Sequence, residues 1–178
     1  MFGGISIIGW FHTIVGIAGI LSGLYLLIRY KFIDIRSELG KFYIICTLLA
    51  SGSSFFIFSA TGSFNDAHLL SLLTILAIIG AFVLDRFNLF GSLTKYLKEL
   101  AMSATILFSM LPTTAEVLKR LPPKEPFVDS LDDPLVMNFY LSYLVIFAFF
   151  AIYQTLLCLL YTSPSPRDAT LSRMPSSA

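Results

Sequence analysis

Long apolar stretches separated by short polar segments dominate this chain. Five of them are close to the length of about 20 mostly apolar residues that a membrane-spanning helix needs. They cover residues 5–28, 42–60, 67–84, 97–118 and 135–157. Each stretch alone could be a buried helix of a soluble protein, but all of them together, with almost no amphipathic alternation, could not. The pattern predicts an all-α, polytopic transmembrane bundle of about five helices.

The composition favours a membrane solvent for this single-domain length of 178 residues. Hydrophobic residues make up 56% of the chain and charged residues 13%, whereas a typical soluble domain is about 25% charged. Mean hydropathy is +0.81. Because so few polar side chains cannot cover a water-facing surface, the predicted partner is the lipid bilayer. The formal net charge of +1 gives no field that would attract nucleic acid.

The basic residues are distributed unequally between the two ends of the predicted helices. One end, formed by the loops after the first and third helices, carries Arg29, Lys31, Arg36, Lys41, Arg86, Lys95 and Lys98. The opposite end carries Lys119, Arg120 and Lys124. Since basic loops stay in the cytoplasm, the richer end is predicted to be cytoplasmic and the N-terminus extracytoplasmic.

Small residues predict where two of the helices touch. Gly19 and Gly23 form a small-xxx-small pair on the first helix, and Gly9, His12 and Gly16 lie on the same face as Gly19. The second helix carries Ser51, Gly52, Ser53 and Ser54. Close backbone approach matters in lipid because helices there gain little from the hydrophobic effect. We therefore expect these two faces to pack against each other.

Pro112 lies inside the fourth predicted helix. A proline removes one helical hydrogen bond, so a kink is expected there. The hydroxyl groups of Ser109 and Thr113 are the nearest groups that could satisfy the freed carbonyl.

A few ionisable side chains within or near the spans are the candidate site. His12, His68 and Glu116, with Thr113 beside Glu116, are predicted at similar depths near the extracytoplasmic end. Such residues are costly in a membrane and so suggest function. Three interpretations stay open: hydrogen bonds within the bundle or to interfacial water, a path for protons or a small solute, and b-type haem held between His12 and His68.

Other chemistry is not indicated by the sequence. The two cysteines, Cys46 and Cys158, form no disulfide framework and no metal-ligand spacing. A zinc site would need more ligands than the chain offers. No phosphate-binding glycine loop, nucleophile elbow or HExxH pattern is present, so no catalytic residues are predicted and an enzyme is not indicated.

The last residues differ in composition from the rest. Residues 158–178 read CLLYTSPSPRDATLSRMPSSA and resemble a translated Nextera sequencing adapter. Residues 158–168 and 172–178 match its two fixed parts in one reading frame, and residues 169–171 correspond to a sample index. The alternative is a Ser/Pro-rich disordered tail. On the adapter interpretation the tail is disordered, the natural sequence ends at Leu157, and its own C-terminal part, with any further helices, is missing.

Four segments resemble a family of bacterial predicted membrane proteins that is catalogued as a domain of unknown function. They are WFHTIVGIAGILSGLYLL, ELGKFYIICTLLASGSSFFIF, GSFNDAHLLSLLTILA and AMSATILFSMLPTTAEVLKRLPP. The resemblance implies a small helical bundle in the bacterial cytoplasmic membrane with no established activity, and His12, His68 and Glu116 match polar positions of the family. This chain departs from it at Ser37-Glu38, where a basic or histidine residue often stands.

The leading hypothesis is thus a membrane protein without catalytic activity or of a transport type, proton-linked or for a small solute, without a cofactor. The alternative is a haem-binding electron-transfer subunit. Exposed glycine and aromatic faces leave a homo-oligomer or a partner membrane subunit open as further partners.

Overall fold

The computed structural model describes residues 6–57 and 62–162, and its regular elements are all helices. They are α1 (Ile7–Tyr30), α2 (Glu38–Ser54), α3 (Asp66–Phe87), α4 (Leu93–Arg120) and α5 (Pro134–Thr162). Within these two ranges there is no strand. The predicted all-α class and the number of helices are confirmed.

Four of the described helices, α1, α3, α4 and α5, are long and apolar enough to cross a membrane. The second helix is different from its prediction. It has 17 residues and starts at Glu38 rather than at 42, so at 1.5 Å per residue it is about 26 Å long, shorter than the hydrocarbon core of about 30 Å. Residues 58–60 of the predicted span lie outside the described residues.

Local capping sets several of the helix boundaries. The Ser37 hydroxyl accepts a hydrogen bond from the Gly40 amide at 3.0 Å, which starts α2 earlier than hydropathy alone suggests. Asn65 and His68 form a capping box at the start of α3. Asn88, in the left-handed region with φ 47°, ends that helix.

The fifth helix continues into the adapter-like segment. It runs to Thr162, and Cys158 is buried against the bundle. The expectation that all of residues 158–178 are disordered is thus wrong for the first five, because Leu159 and Leu160 continue the apolar helical pattern of α5. Residues 163–178 lie outside the described residues. The helical conformation does not test where the codons of this segment come from. The adapter origin therefore stays a prediction.

The first four helices pack in a ring, in which α2 touches α1 and α3, and α4 touches α3 and α1. The fifth helix contacts α4 and leaves most of its apolar side chains exposed. The main core lies near the α1–α2 loop and consists of Leu26, Leu27, Ile33, Ile35, Tyr43, Ile44, Ile78, Ala81, Met102 and Ile106.

The glycine face of α1 packs against α2, as expected. A Cβ on Gly19 would lie 3.3 Å from Thr47 Oγ1, and one on Gly23 would lie 2.6 Å from Tyr43 Cε2. The partner face on α2 begins at Tyr43, however, about two turns before the small-residue run, and it reaches Ala50, whose Cβ lies 3.9 Å from the ideal Cβ position of Gly16. Gly52, in that run, has no side-chain or distant main-chain atom of the described residues within 4 Å of its ideal Cβ position.

Ion pairs join the two basic loops at one end of the bundle. Asp85, near the end of α3, accepts from Arg36 Nη2 at 2.7 Å and from Lys98 Nζ at 3.0 Å. The bond to Asp85 raises the pKa of the exposed Arg36 guanidinium above its ordinary value, because the carboxylate favours the charged form. The loops α1–α2 and α3–α4 therefore lie side by side, and we call this the basic end.

Candidate functional site

His12 joins α1 to α2. Its Nδ1 lies 2.9 Å from the carbonyl oxygen of Ala50 and 3.2 Å from Ser53 Oγ. A carbonyl oxygen can only accept, whereas the Ser53 hydroxyl can donate or accept. The His12 Nδ1 is therefore assigned as the donor to the Ala50 carbonyl of α2. His12 is thus a polar contact between two helices near the end opposite the basic end.

His68 has a capping role at the start of α3. It is buried, and its Nδ1 accepts a hydrogen bond from the Asn65 amide at 3.2 Å. Its ring stacks on Phe64 with centroids 5.3 Å apart, and Phe55 lies 6.0 Å away. These contacts fix the imidazole in the loop–helix junction.

Glu116 and Thr113 make local contacts on α4. The Glu116 carboxylate accepts from Arg120 Nε at 2.5 Å, and both side chains are about half exposed. Thr113 Oγ1 donates to the Ser109 carbonyl at 2.7 Å, and Ser109 Oγ donates to the Thr105 carbonyl at 2.8 Å. Pro112 frees the carbonyl of Phe108, which the hydroxyl of Ser109 or Thr113 was expected to bond. In the described structure both hydroxyls bond other carbonyls, so that expectation is not met.

The four predicted residues do not meet at one site. Among the described helices, α1 and α3 are not in contact, and α2 lies next to both. His12 faces α2, whereas His68 is held in its own helix cap. Two axial haem ligands must face each other across a flat macrocycle, and the contacts of these two imidazoles do not provide that arrangement. In residues 6–57 and 62–162, no three His, Cys, Asp or Glu side chains are grouped as a metal site would need.

A carboxyl group that the sequence analysis overlooked occupies the basic end. Glu99, on α4, is 7% exposed. Its Oε1 lies 3.6 Å from Lys98 Nζ, a long distance for an ion pair, because Lys98 is directed to Asp85 at 3.0 Å. Its buried Oε2 has no hydrogen-bond partner among the described residues. The signal was available, since Glu99 is an ionisable residue inside the predicted span 97–118.

Polar side chains of α4 and α5 surround this carboxyl. Ser103, one turn after Glu99, donates to Gln154 Oε1 at 2.9 Å, and Gln154 Nε2 donates to the Lys31 carbonyl at 2.6 Å. The latter bond fastens α5 to the end of α1. A small cavity of about 10 Å³ lies beside Glu99 and is lined by Tyr96, Glu99, Leu100, Ala151, Gln154, Thr155 and Cys158.

No family model, curated protein or solved structure matches this chain.

A series of mostly buried hydroxyl groups extends from the middle of the bundle toward the end opposite the basic end, which we call the far end. On α2 they are Tyr43, Thr47, Ser51 and Ser54, all buried and spaced by three or four residues, so they share one face. Tyr43 is hydrogen-bonded to Thr105 of α4, and Ser54 Oγ donates to Ser71 Oγ of α3 at 2.8 Å. We call these six residues the polar seam: Tyr43, Thr47, Ser51, Ser54, Ser71 and Thr105. His12 and Ser53 lie beside its far end.

Proposed function

We propose that this chain is a multi-pass membrane protein that moves protons, alone or coupled to a small solute, through its helix bundle. The observation that carries the proposal is the Glu99 carboxyl, which is buried, weakly paired with Lys98 and unbonded at Oε2 among the described residues. A buried ionisable group inside a span is a default functional site in a membrane protein.

Glu99 has the surroundings of a group that exchanges a proton. Removal from water favours the neutral carboxylic acid, whereas the nearby Lys98 ammonium favours the carboxylate. Because these two influences oppose each other, proton uptake and release both become accessible. Asp85 differs from Glu99, because Arg36 and Lys98 both lie within 3.0 Å of its carboxylate. This stronger pairing gives Asp85 a structural role.

The polar seam supplies the remaining part of a path. Each hydroxyl is both donor and acceptor, so a series of them can hold protons in transit. The seam begins near the level of Ser103 and Thr105 on α4 and reaches Ser54, Ser71 and His12 toward the other end. Most of the seam is enclosed by helices, which keeps it away from lipid.

The proposed orientation places the basic end, with Glu99, in the cytoplasm and the N-terminus outside. The ion pairs of Asp85 support it by placing the loops richest in lysine and arginine side by side. The family resemblance supports the bacterial cytoplasmic membrane as the location. The exposed apolar side of α5 fits contact with lipid chains.

Proton flux into vesicles tests the proposal. The full-length protein is reconstituted in liposomes with an internal pH-sensitive dye, and a potassium diffusion potential drives protons inward. We expect flux above that of empty liposomes, and a loss of roughly tenfold or more in Glu99→Gln, because an amide cannot exchange a proton as a carboxyl does.

Two other carboxyl groups provide matched controls. Glu38→Gln removes an exposed charge that pairs with Lys41 at 2.7 Å, and Glu116→Gln removes the carboxyl paired with Arg120. Both variants should retain the flux of the unmodified protein. Flux equal to that of empty liposomes, or an undiminished flux in Glu99→Gln, would contradict the proposal.

A further inference from the structure

We propose that the cavity beside Glu99 binds one water molecule, which bridges Glu99 Oε2 and Thr155 Oγ1 and passes the proton of the carboxyl group. The inference rests on the proposed function for the passage of the proton, but the water site itself is defined by the walls of the cavity. Thr155 is then a positioning residue for this water.

The size of the cavity fits a single small occupant. Its volume is about 10 Å³, and one water requires about 10–15 Å³ measured in this way. Glu99 lines the cavity, and its buried Oε2 has no hydrogen-bond partner among the described residues. Leaving such a buried oxygen unbonded costs free energy, so an occupant that bonds to it is stabilised.

The hydrogen-bonding capacity of the wall selects water among small molecules. Thr155 Oγ1 donates its only hydrogen to the Ala151 carbonyl at 2.8 Å, and Gln154 Nε2 donates one of its two hydrogens to the Lys31 carbonyl at 2.6 Å. Those two residues and ionised Glu99 offer acceptors, namely Glu99 Oε2 and the lone pairs on Thr155 Oγ1 and Gln154 Oε1, and Gln154 keeps one N–H donor. Water both donates and accepts, so it suits this mixed wall.

Other occupants fit this wall less well. A water molecule donates two hydrogens, one for Glu99 and one for Thr155. A divalent cation needs about six or more oxygen ligands, more than these three residues provide. An anion would face the carboxylate of Glu99 and is disfavoured by its charge.

The bound water gives Glu99 a route for its proton. In the neutral state the Oε2–H group donates to the water oxygen. On release, the O–H bond of the carboxyl breaks and a new one forms at the water oxygen, which becomes hydronium. The hydronium then gives up a proton to solvent at the basic end and is again a neutral water, while Glu99 is left as the carboxylate. No oxidant, reductant or other reactant is needed.

Infrared difference spectroscopy of the full-length protein in lipid tests the site. Spectra are recorded across a pH step in ordinary water and in water enriched in oxygen-18. We expect an O–H stretching band that shifts with the heavier isotope, which identifies bound water, together with the C=O band of the protonated carboxyl. Glu99→Gln should lose both bands, and Thr155→Val should lose the water band and shift the carboxyl band to higher frequency.

Two further variants separate a water-positioning role from a structural one. Thr155→Ser retains the hydroxyl and should keep the water band. Thr113→Val is the matched control, because Thr113 Oγ1 also donates to the carbonyl four residues earlier, at 2.7 Å, but does not line the cavity. It too should keep the band.

The outcomes separate three claims: the water site, the positioning role of Thr155 and the proposed proton flux. A water band that is absent in the unmodified protein, or retained in Thr155→Val, overturns the water site whatever the flux measurement gives. A water band lost in both Thr155→Val and Thr155→Ser overturns the positioning role. A protein that shows all the expected bands but no proton flux retains the water site and loses the proposed function.

Discussion

Replacing Gly40 with alanine is expected to lower the free energy of unfolding by about 3 kcal/mol, the upper part of the range for overpacking. A Cβ at this position would overlap the carbonyl oxygen of Asp34 and lie 2.9 Å from both the Asp34 carbonyl carbon and Ser37 Oγ. The obstacle is main chain, which has no rotamer to adopt. Either the first turn of α2 unwinds or the α1–α2 loop moves away.

Both responses remove further interactions. Moving the loop exposes Ile33 and Ile35, which are 0% and 5% exposed. It also separates Arg36 from Asp85, now 2.7 Å apart. The loss of stability should be visible as an earlier transition when helicity is followed by circular dichroism during titration with a denaturing detergent.

Gly52→Ala is the matched control for this prediction, since the same substitution falls in the same helix. In the part of the chain that the structure describes, nothing outside the backbone of its own helix turn lies within 4 Å of the ideal Cβ of Gly52. Alanine there should be neutral or should stabilise by about 0.5–1 kcal/mol, because it restricts the unfolded chain. Equal transitions for Gly40→Ala and the unmodified protein would show that the loop does not pack on α2 in this way.

Replacing Gly23 with alanine should destabilise the bundle by about 2 kcal/mol. The new Cβ would meet the end of the Ile106 side chain and would lie 2.6 Å from Tyr43 Cε2. Ile106 can change rotamer, but Tyr43 is 1% exposed and its hydroxyl is hydrogen-bonded to Thr105. The substitution therefore pushes α1 away from both α2 and α4, which the same detergent titration would detect.

Gly16→Ala is the companion variant on the same helix. Its Cβ would lie 3.9 Å from that of Ala50, an ordinary contact. It should leave the transition unchanged or move it to a higher detergent fraction. If Gly16→Ala and Gly23→Ala destabilised equally, glycine at these positions would matter for helix formation in general and not for the contact with Tyr43.

Polar groups in the bundle are satisfied mainly within their own helices. Thr74, Ser109, Thr113 and Thr155 each donate to the carbonyl four residues earlier. Such bonds satisfy the hydroxyl without a partner helix, which suits a chain surrounded by lipid. Against this background Glu99 stands out, because its Oε2 has neither a local bond nor one to another described helix.

Hydropathy predicted the candidate site less well than it predicted the helices. Residue type and depth indicated His12, His68 and Glu116 as candidates, but depth along a helix does not specify direction around it. Glu116 points to Arg120 on the surface, and His68 caps its own helix. Glu99, close to the lysines at the start of α4, was not among the candidates, although its side chain is buried in the bundle.

The sequence by itself determined that this chain forms apolar helices, approximately where they lie, and which loops carry the basic residues. These properties follow from local composition, since hydrophobic length and loop charge are summed over neighbouring residues. Only the tertiary structure decided that α2 is short and carries the polar seam, that Gly23 meets Tyr43, and that Glu99 Oε2 has no hydrogen bond to any described residue. Those features depend on rotation of each helix about its axis and on contacts between distant residues, which no local sum contains.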